Sequence, residues 1–242
     1  MQLNYRQYSD QGTPLVIVHG LFGNLKNWNW HAQELAGEFA VYSLDLRNHG
    51  ESPHADTMSY PEMAADVQQF LESRGIDKAI LLGHSMGGKV AMQLAVEQPE
   101  RVEKLLVADI APVAYGSERG DHESVFAGLI AVDLPNLKSR QDADVVLADH
   151  VQEKGVRQFL LSNLVKDPEG SYRWRFNLSA LYENYDRLRE NVSTDRIYDG
   201  PTLFLRGALS NYIRARDESA LRDSFPAAII ETVDGAGHWL HA

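Results

Sequence analysis

The sequence predicts an α/β fold in which a mostly parallel central sheet is flanked by helices and a helical block is inserted between two of the strands. Three observations predict it. Short runs rich in Val, Ile and Leu recur at 15–18, 40–44, 79–82, 105–108, 203–205 and 228–233, continuous rather than alternating, as in strands covered on both faces. Helical patterns lie between them. The alternation stops after Asp109 and resumes at Pro201.

The elements follow in order. Residues 3–8 alternate in polarity and suit an antiparallel edge strand. Ser59 with Glu62 three positions later reads as a capping box, Pro61 is tolerated in the first turn, and Met63, Val67, Phe70 and Leu71 share one helical face that Gly75 ends. A second helix spans 87–98, with Val90, Ala91, Leu94 and Ala95 inward and Pro99 as its stop. From 110 to 200 the patterns at 145–150, 156–165 and 179–189 are helical, with no convincing strand. The simplest reading is a core of 1–112 and 201–242, with 113–200 as a lid over the sheet's C-terminal edge, where ligands bind in such folds.

Composition narrows the function. The chain has 242 residues, 44% of them hydrophobic, and carries a formal charge of −11, which repels phosphate backbones and anionic lipid and argues against nucleic acid as a partner. It has no cysteine, so disulfides, thiol nucleophiles and thiolate metal sites are excluded. No HExxH or HxHxDH run offers a zinc ligand set, so no metal is expected. No stretch approaches the ~20 apolar residues of a membrane span. The start, MQLNYRQYSD, lacks a signal-peptide pattern, which makes the cytoplasm the default location.

Chemistry concentrates at 81–88, LLGHSMGG, where Gly83, His84, Ser85, Met86 and Gly87 form GxSxG between an apolar run and a helical one. In a tight strand-to-helix turn the glycines clear space, Ser85 is pushed into the cleft, and the N–H of Met86 points at an oxyanion. A serine nucleophile needs a base. Among the histidines, His238 in DGAGHW sits on a Gly-rich loop after the last strand. His31, His54, His122, His150 and His241 read as surface or loop residues, and His84 as packing within the elbow. In VIVHGLFG, His19 reads as a hydrogen-bonded loop residue, Gly20 turns the chain, and the N–H of Leu21 is the second oxyanion donor.

HGLFG, LDLRNHGES, GHSMGG and GAGHW, in this order, resemble the α/β-hydrolase superfamily, and GHSMGGK with ADIAP and LRGALSNYI is similar to the YbfF-type small bacterial esterases and their mitochondrial relatives. The resemblance implies an α/β-hydrolase fold and hydrolysis of small acyl esters or thioesters, with no metal or organic cofactor. Most members place the acid of the triad just past the strand at 202–205, where this chain has Gly207, Ala208, Leu209 and Ser210. Asp109 ends the preceding strand, and the YbfF-type resemblance assigns the acid there; Asp217 is the competitor, and Asp234 reads as capping its own turn. Asp45 and Arg47 read as stabilising their loop or as a surface ion pair. The resemblance also implies a helix beyond the histidine loop, whereas the sequence given stops at Ala242.

Residues Val125, Phe126, Leu129, Ile130 and Leu134, with Tyr172, Trp174, Phe176, Tyr182 and Tyr185, supply a greasy pocket or simply hold the lid together. Arg173 and Arg175 are the candidates for cationic contacts to an acyl-CoA. Short-to-medium acyl esters are the substrate class expected. A perhydrolase, a C–C bond hydrolase and a non-catalytic binding protein on the same scaffold are the alternatives.

Overall fold

The apolar runs become strands of one sheet in a computed structural model that describes residues 1–116, 122–192 and 196–240. The first part of the chain forms β1 (Tyr5–Gln7), β2 (Thr13–Val18), α1 (Asn29–Leu35), β3 (Phe39–Leu44), α2 (Tyr60–Ser73), β4 (Ala79–His84), α3 (Met86–Glu97) and β5 (Val102–Ala108). The middle forms α4 (His122–Ala131), α5 (Arg140–Ala148), α6 (Lys154–Leu161), β6 (Leu164–Lys166), β7 (Tyr172–Trp174), α7 (Leu178–Glu183) and α8 (Tyr185–Arg189). Then β8 (Thr202–Gly207), α9 (Glu218–Ser224) and β9 (Ala228–Val233) complete the sheet.

The strand order is β1-β3-β2-β4-β5-β8-β9, parallel except for β1, which pairs antiparallel with β3 at the edge. From β2 the chain passes to β3 on one side and later to β4 on the other. The loops leaving β2 and β4 therefore face one crevice at the sheet's C-terminal edge, the ligand position of open parallel sheets.

Burial on both faces explains the continuous runs. On one face Val16, Val18, Leu81 and Val107 pack with α2 and α3; on the other Leu15, Ile17, Val41 and Ile80 pack with Trp28 and Ala32. In α2 the Ser59 side chain accepts the N–H of Glu62, which is the N-cap half of the expected capping box, while the Glu62 carboxylate accepts the Ser59 hydroxyl rather than its backbone N–H. Strand β9 departs from the expectation for 228–233: Ala228 is buried, but Ile229 and Val233 are exposed at the sheet edge.

Between β5 and β8 the structure corrects the all-helical expectation, because β6 and β7 form a hairpin. The apolar pattern at 156–165 is split between two elements: α6 ends at Leu161, and Asn163 turns away to donate its Nδ2 to the Phe22 carbonyl at 2.8 Å. Three-residue strands are too short to show a period of two. Asparagines also fasten this segment elsewhere, Asn184 Nδ2 donating to Asp56 O at 2.8 Å and the Asn177 N–H to Asn48 O at 2.9 Å. From α3 the buried amino group of Lys89 donates to the carbonyls of Val113, at 2.8 Å, and of Glu190, so one side chain joins both ends of the segment.

Candidate active site

Ser85 stands between β4 and α3 with φ 51° and ψ −123°, an unfavourable conformation for a residue with a Cβ. The turn is held from both sides: the Ser85 N–H extends the sheet to Ala108 O at 3.0 Å, and the N–H groups of Gly88 and Lys89 close on Ser85 O. The flanking glycines are there for space. A Cβ on Gly83 would come within 2.2 Å of Gly87 O, and one on Gly87 within 2.4 Å of Val18 O.

The loop after β9 brings the His238 ring to this point. Its Nε2 lies 3.0 Å from Ser85 Oγ and its Nδ1 2.8 Å from Asp109 Oδ2. With Nδ1–H donating to the carboxylate, Nε2 is left free to accept the serine proton. Asp109 is fully buried at the end of β5 with φ 52°. Its Oδ1 accepts the Gly207 N–H at 3.0 Å, and its Oδ2 also accepts the hydroxyl of Ser210. Asp217, the other candidate acid, accepts the Arg214 N–H at 2.9 Å in the turn before α9, and it is Asp109 that faces the imidazole.

Several groups around this chain of atoms escaped sequence reasoning. Ser210 cannot carry charge, yet its hydroxyl orients the carboxylate, and a hydroxyl at the position where relatives keep an acid was the available signal. Tyr212, whose N–H donates to Ser210 Oγ at 3.2 Å, stacks on the His238 ring at 3.9 Å with 22° between planes. His84 does more than pack: its Nε2 donates to the His238 carbonyl at 2.8 Å.

On the opposite side, Gly20 brings backbone against the nucleophile, for a Cβ there would lie 3.2 Å from the Ser85 Cβ. Leu21 therefore borders Ser85, and Met86 opens α3 beside it. Two buried histidines brace this loop. His19 Nδ1–H donates to Gly20 O while its Nε2 accepts the Leu46 N–H; His49 Nδ1–H donates to Arg47 O while its Nε2 accepts the Phe22 N–H. Burial holds His19 below the usual histidine range despite nearby Asp45, and burial together with His19 pushes His49 down to about 3. Both act as neutral struts. Asp45 and Arg47 are not a surface ion pair: Asp45 is buried, accepting the N–H groups of Leu25 and Glu51, and Arg47 is paired with Asp66 at 2.7 Å.

Two cavities open at Ser85. The larger, about 640 Å³, is bordered by His238, Trp239 and Leu21 from the core and by Val125, Val156 and Phe159 from the inserted segment. The smaller, about 40 Å³, is bordered by Met86, Ile110, Tyr60, Tyr115 and Leu188. His122 and His150, expected as surface or loop residues, line the larger one, His122 with its Nδ1 2.9 Å from the Tyr185 hydroxyl; His241 lies outside the described residues. Of the apolar residues expected to build a pocket or to hold the lid together, Val125 and Tyr185 reach these cavities, whereas Leu129, Ile130, Leu134, Trp174 and Tyr182 border a separate groove. Arg175 pairs with Glu51 at 3.3 Å, and Arg173 is exposed on β7; neither borders the cavities at Ser85.

Comparison with known proteins bears on the fold and the family. Residues 13–242 match the family model for the alpha/beta hydrolase fold. The chain is 40% identical over 248 residues to Esterase YbfF of Escherichia coli strain K12, an alignment covering 100% of this chain and 94% of that protein. It is 42% identical over 235 residues to the sn-1-specific diacylglycerol lipase ABHD11 of Mus musculus, covering 94% of this chain and 76% of that protein. A solved structure of a marine microorganism esterase superposes with a TM-score of 0.97 at 39% identity, covering 99% of this chain and 94% of that one.

Proposed function

The chain belongs to the α/β-hydrolase family and is of the YbfF type, and from that premise we propose that it is a serine hydrolase of short-to-medium acyl esters or thioesters working through an acyl-enzyme intermediate. The observation that carries the reading is the continuous path from Ser85 Oγ to His238 Nε2 at 3.0 Å and from His238 Nδ1 to Asp109 Oδ2 at 2.8 Å. In this mechanism Ser85 Oγ attacks the acyl carbonyl carbon while its proton passes to His238 Nε2. Asp109 holds the ring in the required tautomer and stabilises the imidazolium. The N–H groups of Leu21 and Met86 receive the negative oxygen, the latter reinforced by the N-terminus of α3.

Collapse of the tetrahedral intermediate breaks the bond to the leaving oxygen or sulfur, which takes the proton from Nε2. Water, deprotonated by the same nitrogen, then releases the carboxylic acid. Residues 113–200 serve in this reading as a lid on the core, since the inserted segment supplies one wall of both cavities. The test is direct. A fluorophosphonate should label Ser85 in the wild type, and Ser85→Ala should lose both the label and the hydrolysis of p-nitrophenyl butyrate and butyryl-CoA. Retained hydrolysis in Ser85→Ala overturns the assignment.

A further inference from the structure

We propose that the two cavities divide the substrate at Ser85, the small one taking the acyl chain and the large one the leaving alcohol, so that this enzyme is selective for short acyl groups on bulky alcohols. The inference rests on the serine-hydrolase reading and deepens it. The cavities share Ser85, Leu21, His122 and Tyr212 along their borders, but His238 borders only the large one and Met86 only the small one.

Tetrahedral geometry does the rest. The attacked carbon carries the serine oxygen, the oxyanion, the leaving oxygen and the acyl chain at its four corners. The leaving oxygen must come within hydrogen-bond reach of His238 Nε2 to take its proton as the bond to carbon breaks. It therefore points towards the cavity that the imidazole borders. The oxyanion points to the N–H groups of Leu21 and Met86. The remaining corner, the acyl chain, is left with the cavity lined by Met86 and Ile110.

Size then sets the chain length. A water-sized group needs about 10–15 Å³ of such space, so a cavity of about 40 Å³ accepts roughly three or four non-hydrogen atoms beyond the carbonyl. The larger cavity, about 640 Å³, falls in the range that holds whole small-molecule ligands. The small pocket's walls are tied in place. The Tyr60 hydroxyl donates to Leu188 O at 2.6 Å, and that of Tyr115 donates to Tyr212 O at 2.8 Å while accepting the Ala111 N–H at 2.7 Å. Ile110 and Leu188 are among the apolar residues that line it, and this proposal assigns them the acyl-chain cut-off.

The experiment uses two series of esters with the intact chain. With p-nitrophenol held constant, kcat/KM should fall by about 100-fold between butyrate and octanoate, because the longer chain finds no room. With acetate held constant, replacing phenol by naphthol should change it by less than about 10-fold. Leu188→Ala should raise the octanoate-to-butyrate ratio by about 10-fold, whereas Phe159→Ala, in the large cavity, should alter the alcohol series and leave that ratio in place. Octanoate turned over as well as butyrate by the wild type overturns the division. So does a shift of the acyl cut-off by Phe159→Ala and not by Leu188→Ala. The wild-type series needs no variant to fold. Failure of every ester together with failure of fluorophosphonate labelling overturns the hydrolase reading itself, a result distinct from a misassigned pocket.

Discussion

The C-terminal edge of the sheet and the segment inserted between β5 and β8 hold their working parts by different means. At the edge the means is backbone. The four described non-glycine residues with positive φ are Phe22, Asn48, Ser85 and Asp109, and they follow β2, β3, β4 and β5 in turn. Each such conformation costs about 1–3 kcal/mol, which the packed sheet and helices beneath must over-determine. In the described part of the insert the positive φ falls to Gly170, and side chains do much of the fastening: the Nδ2 groups of Asn163, Asn177 and Asn184 tie it to core loops and Lys89 joins its two ends. Changes at the edge should therefore abolish turnover, and changes in the insert should redistribute selectivity.

The largest effect expected is at Ser85 and His238. Alanine at either should lower kcat by about 10⁴-fold or more while the midpoint of thermal unfolding stays put, since neither side chain is part of the hydrophobic core. Ser85→Gly should lose the same activity yet unfold at a higher temperature, because glycine accepts φ 51° without the Cβ penalty. A cooler transition in that variant would remove the claim that the edge stores strain.

Next comes the acid. Asp109→Asn should lower kcat by about 10³–10⁴-fold, whereas Asp217→Asn should leave kcat within about 3-fold and show its effect in stability alone. The comparison also marks what the sequence could reveal. The elbow was legible because GHSMGG is local: strand, turn, glycines and helix all lie within a few residues. Asp109 was legible as a strand end but not as unique, since its meeting with His238 spans 129 positions and depends on the order β5-β8-β9. His49 was opaque for a different reason, and Ser210 was marked only by standing where relatives keep an acid. Each acts through one hydrogen bond to a distant group, and a hydroxyl or a neutral imidazole in a loop carries no period or charge by which to find it.

His49 sets a pH test of the edge. Its folded value of about 3 lies below that of an unfolded histidine, so between pH 6.5 and 3 the unfolded chain binds a proton that the folded one refuses. The stability conferred is complete above about pH 6.5 and is lost as the pH falls towards 3. From pH 7 to 5 this site should cost about 2 kcal/mol, read as a lower urea midpoint. His49→Gln, which cannot titrate, should flatten that slope, and His19, shifted in the same direction, should account for part of the remainder.

Ser210→Ala tests positioning with a smaller effect. Removing one donor from a buried carboxylate should lower kcat by about 10-fold with KM nearly unchanged, and Ser210→Thr, which restores the hydroxyl, should recover most of it. An equal loss in the threonine variant would mean that the loop's shape, and not the hydrogen bond, is what matters.

The smallest effect expected is in the outer groove of the insert, and it sharpens the comparison because the composition of the segment left open whether its aromatic residues line the pocket or hold the lid together. Tyr182 is 57% exposed and borders a groove with Leu129, Ile130 and Trp174, none of which lines either cavity at Ser85. Its ring does pack edge-on against Phe126 at 5.4 Å. Tyr182→Ser should accordingly lower the unfolding temperature by a few degrees, in keeping with a lost aromatic pair of about 1 kcal/mol, and leave kcat/KM within about 2-fold across both ester series. A change in the acyl cut-off in this variant would mean that the insert transmits its packing to the pocket walls. The division between a backbone-held edge and a side-chain-held insert would then have to be redrawn through Phe126, which touches Phe22 at 5.1 Å and so is the contact through which such a signal would pass.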